Sequence, residues 1–152
     1  MKRFAKTGIA LLWMVVLLAG LSMVTVSAVA SAVQIGDEYG GGKIAWLDAT
    51  GQHGLIAAKA DCPGPYFTWQ GAKKACQDYK ANGYRDWRLP SKNELNKLYY
   101  AKSAVGSFST DVGYWSSTGN GALNAWYQYF NDGFQVGDHK SDINRVRAVR
   151  AF

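Results

Sequence analysis

Side chains able to do chemistry fall into four groups along this 152-residue chain. The first is aromatic. In the run Ala125 to Phe130, Trp126, Gln128 and Phe130 alternate with Ala125, Tyr127 and Tyr129, so a strand there divides them between two faces. With Trp126 and Phe130 taken into a core, Tyr127 and Tyr129 point outward. A phenol pair so placed can stack on the apolar face of a sugar ring while its hydroxyls hydrogen-bond. The second group is basic. Arg85, Arg88 and Lys92 lie close together, and Arg145, Arg147 and Arg150 close the chain. Guanidinium forks suit sulfate or carboxylate groups. Alternation puts Arg145 and Arg147 on one strand face and Arg150 on the other. Arg88 and Arg147 are assigned to pairing with Asp86, Glu94 or nearby carbonyls, and Arg85, Lys92, Lys97 and Lys102 to exposed charge. The candidate ligand contacts are therefore Tyr127, Tyr129, Arg85, Lys92 and Arg145.

The third group is Cys62 and Cys76, the only two cysteines. Their spacing is not C-x-x-C, and the two histidines are distant in sequence, so neither a redox motif nor a metal site fits well. In an oxidising compartment they would pair, closing a loop of about 15 residues for about 3 kcal/mol in the chain-entropy model. The fourth group is catalytic in type: His53, His139 and the carboxylates Asp132, Asp138 and Asp142. Neither histidine has a local Ser or Cys partnership that suggests a nucleophile, and loop carboxylates are usually solvated. No catalytic residue is assigned.

These residues need elements to position them. Lys43 to Leu47 and Leu55 to Ala58 read as strands joined by a turn with Gly51 and Gly54. Pro63-Gly64-Pro65 interrupts any regular element. Thr68 can cap a helix whose stripe is Trp69, Ala72, Cys76 and Tyr79, with Asn82-Gly83 as its stop. Ser91 and Glu94 form a capping box for a second helix that buries Leu95, Leu98 and Tyr99 and ends near Lys102. After Ser103 come short strands at 114–117, 125–130 and 134–136, with Asn131-Asp132-Gly133 as a hairpin turn, and a closing strand from Arg145 to Phe152. Helices early and short strands at both ends predict one α+β domain.

Composition bounds the rest. Lys2, Arg3 and Lys6, an apolar run from Ile9 to Val26, and Ala-x-Ala sites ending at Ala32 predict a secretory signal peptide over residues 1–32. An uncleaved amino-terminal anchor is the alternative. Without those residues the formal charge of +6 falls to +3, which removes the main support for a nucleic-acid partner. No second run reaches membrane-spanning length, and 19 aromatics over 33–152 supply a packed core rather than disorder. The expected location is exported, periplasmic or extracellular.

Several motifs together resemble one family. Gly36-Asp37-Glu38-Tyr39-Gly40-Gly41-Gly42 with His53-Gly54-Leu55-Ile56 resembles its opening hairpin. Asp86-Trp87-Arg88-Leu89-Pro90-Ser91 followed by Glu94-Leu95 resembles its central signature. Tyr114-Trp115-Ser116-Ser117-Thr118, Ala125-Trp126 with Phe130 and Gly133, and Val146-Arg147-Ala148-Val149-Arg150 resemble its carboxy-terminal half. The family is the Lcl C-terminal domain of exported bacterial proteins, and the resemblance spans nearly all of 33–152. It implies a C-type-lectin-like fold: two helices flanking a small twisted antiparallel sheet, long loops in the second half, and termini close together. It implies attachment to glycans. The Glu-Pro-Asn or Gln-Pro-Asp triplet of calcium-dependent lectins of that fold is absent, and Phe130-Asn131-Asp132-Gly133 reads as a turn rather than a ligand set for Ca²⁺, which wants six to eight oxygens. No metal and no cofactor is expected.

The expectation is an exported, non-enzymatic recognition module that binds a glycan, acidic or sulfated, through the loop-rich surface from Ser103 to Asn144. The alternative is a protein-binding or assembly component of the cell envelope, since aromatic-rich surfaces are typical of interfaces.

Overall fold

The start of the second helix organises the molecule, which is described from a computed structural model over residues 32–152. The predicted signal peptide lies outside the described residues, apart from Ala32. Ser91 Oγ accepts from Glu94 N at 3.2 Å and the Glu94 carboxylate accepts from Ser91 N at 2.8 Å. Thr118 Oγ1 accepts from Lys92 N at 2.9 Å. The helix amino terminus therefore has its free donors answered by its own cap and by a residue far along the chain. Arg88 locks the box by a two-pronged pair with Glu94 at 2.6 and 2.7 Å. The Glu94 carboxyl is held down to about 2 by that hydrogen-bonded guanidinium, against an opposing effect of burial.

The elements run β1 (Glu38–Tyr39), β2 (Gly42–Leu47), β3 (Gly54–Ala57), α1 (Trp69–Asp78), α2 (Lys92–Tyr100), α3 (Lys102–Val105), β4 (Gly113–Asn120), β5 (Asn124–Tyr129), β6 (Gln135–His139) and β7 (Val149–Ala151). The architecture is α+β, with two antiparallel sheets where a single small sheet was expected. One has the order β1-β2-β3-β7, so the first and last strands share it; the other has the order β4-β5-β6. The signature residues 86–91 run between them. Arg88 exchanges backbone hydrogen bonds with Val149 of β7, and Pro90 O accepts from Ser117 N of β4 at 2.7 Å.

Several element ends differ from the sequence reading. Helix α1 stops at Asp78, because Tyr79 is already extended and its N–H bonds back to Cys76 O. The closing strand shortens to Val149–Ala151, the stretch that pairs with Leu55, Ile56 and Ala57 of β3. The turn 131–133 forms as predicted: Gly133 N bonds Tyr129 O, and Asp132 accepts from Phe134 N.

Two irregularities decide where aromatic side chains go. β2 pairs Ile44 with Ile56 and then Trp46 with Leu55, so Ala45 is an inserted residue. Ile56 and Leu55 belong to different core clusters. The bulge thus carries Trp46 to the Leu55 side, toward α2, when regular alternation would have kept it with Ile44. In β4 the register breaks between Trp115 and Gly119, which releases Ser116, Ser117 and Thr118 to bond Trp126 O, Pro90 and Lys92.

Both faces of the β4-β5-β6 sheet are covered. Tyr114 and Phe130 pack with Leu95 and Leu98 of α2 on one side; Trp115, Ala125 and Tyr127 join Ala72, Cys76 and Trp87 on the other. Cys62 and Cys76 are free thiols in this structure, buried together in that second cluster.

Candidate functional site

Helix α2 lies between the sheets, touching β2, β4 and β5. Leu95 and Leu98 point into the core, which leaves Lys92, Asn93, Asn96, Lys97 and Tyr100 on the outer stripe by three- and four-residue spacing. A half-buried tryptophan flanks that stripe on each side. Lys97 Nζ lies 3.3 Å from the centroid of Trp46, and Lys92 Nζ lies 3.2 Å from that of Trp126. Neither lysine is in a described ion pair with a carboxylate. Trp46, Asn93, Asn96, Lys97 and Tyr100 line an open groove of about 680 Å³. Tyr100 is 79% exposed.

A buried amide network sets this face. Gln128, fully buried, donates from Nε2 to Asn96 Oδ1 and Gly133 O, both at 3.0 Å. Gln135 donates to Gln128 Oε1 and to Lys92 O, both at 3.0 Å. With its oxygen engaged inward, Asn96 keeps its amide donors for the groove. The arrangement offers an indole face, a phenol, two amides and an ammonium. Exposed cation–π contacts are worth about 0.5–1 kcal/mol, so a ligand can displace the lysine from the ring at small cost.

The five residues singled out in the sequence do not form one surface. Tyr127 is buried, 9% exposed, against Trp115 and the Cys76 cluster, which corrects its outward assignment. Burial pushes its hydroxyl up, helped by the hydrogen bond its OH donates to Tyr129 OH at 3.0 Å. Tyr129 is half-buried against the same cluster, so the pair is not an open stacking platform. The partner face turns toward α2, with Gln128 bonded to Asn96 and Trp126 under the Lys92 ammonium. The alternation was read correctly; what it omitted is that a second layer covers the Tyr127 face.

Arg145 is 3.5 Å from Asp61 Oδ2 and 4.0 Å from Asp111, over the ring of Tyr66. That makes it part of an ion cluster rather than a free ligand contact. Arg147 is wholly buried there: Nε bonds Asp61 at 2.8 Å, and its other nitrogens bond the carbonyls of Ala58, Gly106 and Ser107 at 3.1, 3.3 and 2.5 Å. Tyr114 OH donates to Asp61 at 2.9 Å, and burial first raises its hydroxyl to about 12. Arg150 turns the other way, to Asp86 at 2.9 Å. Arg85 is exposed and enters no described side-chain bond, so among the five only Lys92 stands on the groove-bearing helix face.

The catalytic candidates remain scattered. His139 Nδ1 does have a local serine, Ser141 Oγ at 2.6 Å, but it also accepts from Ser141 N at 3.3 Å. That geometry is a local turn on an exposed loop. Asp138 accepts from Asn144 at 3.1 Å, and its carboxyl is pushed up by burial and then by hydrogen bonding to Asp142. Among the described residues no group of three or more His, Cys, Asp or Glu is placed to hold a metal ion.

The motifs 86–91, 114–118 and 146–150 meet in space as the shared frame of both sheets and α2. The model of the Lcl C-terminal domain matches residues 41–150. The chain belongs to that family. The matched span of the Lcl C-terminal domain takes in β2 through Arg150, hence both tryptophans and the whole outer stripe of α2. No curated protein matches the chain.

Sequence reasoning missed Trp46, Asn93, Asn96 and Tyr100. The helical spacing of 92, 93, 96, 97 and 100 could have found the stripe. Trp46 could not be found that way, because its side follows from the bulge at Ala45.

Proposed function

We propose that this Lcl C-terminal domain is a non-enzymatic, exported recognition module of C-type-lectin-like fold that binds a glycan of acidic character on the outer face of α2. The observation that carries the reading is Trp46, half-buried in a groove with Asn93, Asn96 and Tyr100 and with the Lys97 ammonium over its ring. An indole accepts the C–H face of a sugar, amides answer hydroxyls, and a displaced ammonium answers a carboxylate or sulfate. These donors need no metal. Family membership and the α+β frame of two antiparallel sheets support the fold part of the proposal, and the basic, apolar and small-residue pattern of residues 1–32 supports the export part.

The test is binding of the purified protein to a glycan panel that includes sulfated polysaccharides, with and without chelator and across salt. Binding that ignores chelator, weakens with ionic strength and falls with Trp46→Ala is the expected result. Equal binding by Trp46→Ala would remove the site from α2.

Tyr100 at 79% and Phe134 at 61% exposure favour one competing reading, a protein partner from the cell envelope. An aromatic-centred interface weakens less with salt than an acidic-glycan contact, so the same titration separates the two.

A further inference from the structure

Away from the glycan face, α1 and the segment after β3 meet at a pair of sulfurs. Cys62 is 2% exposed and Cys76 is fully buried, and the two sit side by side in one core cluster with Ala72, Trp87 and Val146. The backbone on the Cys62 side is held: Ala58 N bonds Ala148 O and Cys62 N bonds Val146 O, each at 2.9 Å. Next to it, Asp61 is clamped by Arg147. Cys76 sits near the end of a helix capped at its start by Thr68. Between the two cysteines, Pro63 to Tyr66 form an exposed loop. Pro63 and Phe67 on one side and Ala75 and Tyr79 on the other line a second groove, also of about 680 Å³.

We propose that Cys62 and Cys76 are oxidised to an intramolecular disulfide in the working protein, tying α1 to the segment that Arg147 anchors and so setting the spacing of the walls of this second groove. The oxidant is a disulfide compound. The Cys62 thiol gives up its proton and its sulfur attacks one sulfur of the oxidant, forming a mixed disulfide and releasing one thiol. The Cys76 thiol then gives up its proton and its sulfur displaces the second oxidant thiol from Cys62. The protein loses two protons and two electrons, and the oxidant's S–S bond becomes two thiols. Cys62 is the first to react because it borders the exposed loop, and because the neighbouring Cys76 thiol lowers its own while Cys76 is pushed up by that neighbour and by burial. Burial of both sulfurs confines exchange to folding or to opening of the 63–66 loop, and shields the closed bond from reductant.

The experiment counts thiols in the full chain, refolded with oxidised glutathione and then alkylated in denaturant, with peptide mapping. The expected result is no alkylatable thiol, a peptide pair joined through Cys62 and Cys76, and a Tm that falls by about 10 °C on reduction. A Cys62→Ser, Cys76→Ser double variant is expected to melt near the reduced protein and to ignore reductant. Two alkylatable thiols per chain after oxidative refolding, or cross-links only between chains, would overturn the proposal whether or not the double variant folds. Glycan binding is not part of this readout, so the two proposals fail independently.

Discussion

Lys97 holds its ammonium 3.3 Å from the centroid of the Trp46 ring, linking the outer stripe of α2 to the bulged strand β2 of the other layer. The contact covers part of an indole that borders the groove, and a cation–π pair near the surface is held weakly, by about 0.5–1 kcal/mol.

Trp46→Ala is expected to lower glycan affinity by about tenfold or more, equivalent to about 1.4 kcal/mol or more. Lys97→Gln is expected to reduce the salt dependence more than the affinity at high salt. Titration calorimetry across ionic strength checks both, with circular dichroism to confirm the fold. Loss of affinity with unchanged salt dependence in Lys97→Gln would separate the lysine from any acidic group.

Glu94 is lowered to about 2 by the Arg88 guanidinium. A folded-state value below the unfolded one contributes stability that is present above the unfolded value, about 4.3, and is lost as pH falls through about 2. Urea melts from pH 7 to 2 are expected to show that loss in the wild type. Glu94→Gln is expected to be less stable at pH 7 and flatter over the window. Identical acid profiles would place the sensitivity elsewhere.

Arg147 is fully buried with Asp61 as its counter-charge. Removing one partner of such a pair strands the other, at about 3–5 kcal/mol. Arg147→Ala is expected to lower the unfolding free energy by that amount in urea melts, whereas Arg85→Ala, on an exposed residue, is expected to change it by less than about 0.5 kcal/mol.

Asp138 is raised by burial and by its hydrogen bond with Asp142. A raised carboxyl contributes stability that is present at acid pH and lost as pH rises through the folded value. Asp142→Asn removes the like charge and is expected to raise Tm at pH 7 with little change at pH 4. A drop at pH 7 would show that the Asp142 charge is favourable where it stands.

Local signals were legible where one short segment contains the whole interaction. Ser91 and Glu94 cap their own helix, Thr68 caps α1, and residues 131–133 turn one hairpin, each through bonds spanning two to five residues. Arg88, assigned to Asp86, Glu94 or nearby carbonyls, pairs with Glu94 six residues on, an interaction of similarly short range. Tyr127 was misplaced because alternation separates two faces without naming the layer that covers each.

Residue types and spacing by themselves determined an α+β domain of the Lcl C-terminal family, its helix starts, its turns and the pairing of its cysteines as a possibility to test. Only the tertiary structure decided which side chains share a surface. One inserted residue at Ala45 turns Trp46 toward α2, and the core cluster that includes α1 residues covers the Tyr127 face of β5. The physical reason is range: caps and turns are satisfied within a few residues, whereas register and layer contacts depend on partners scores of residues away.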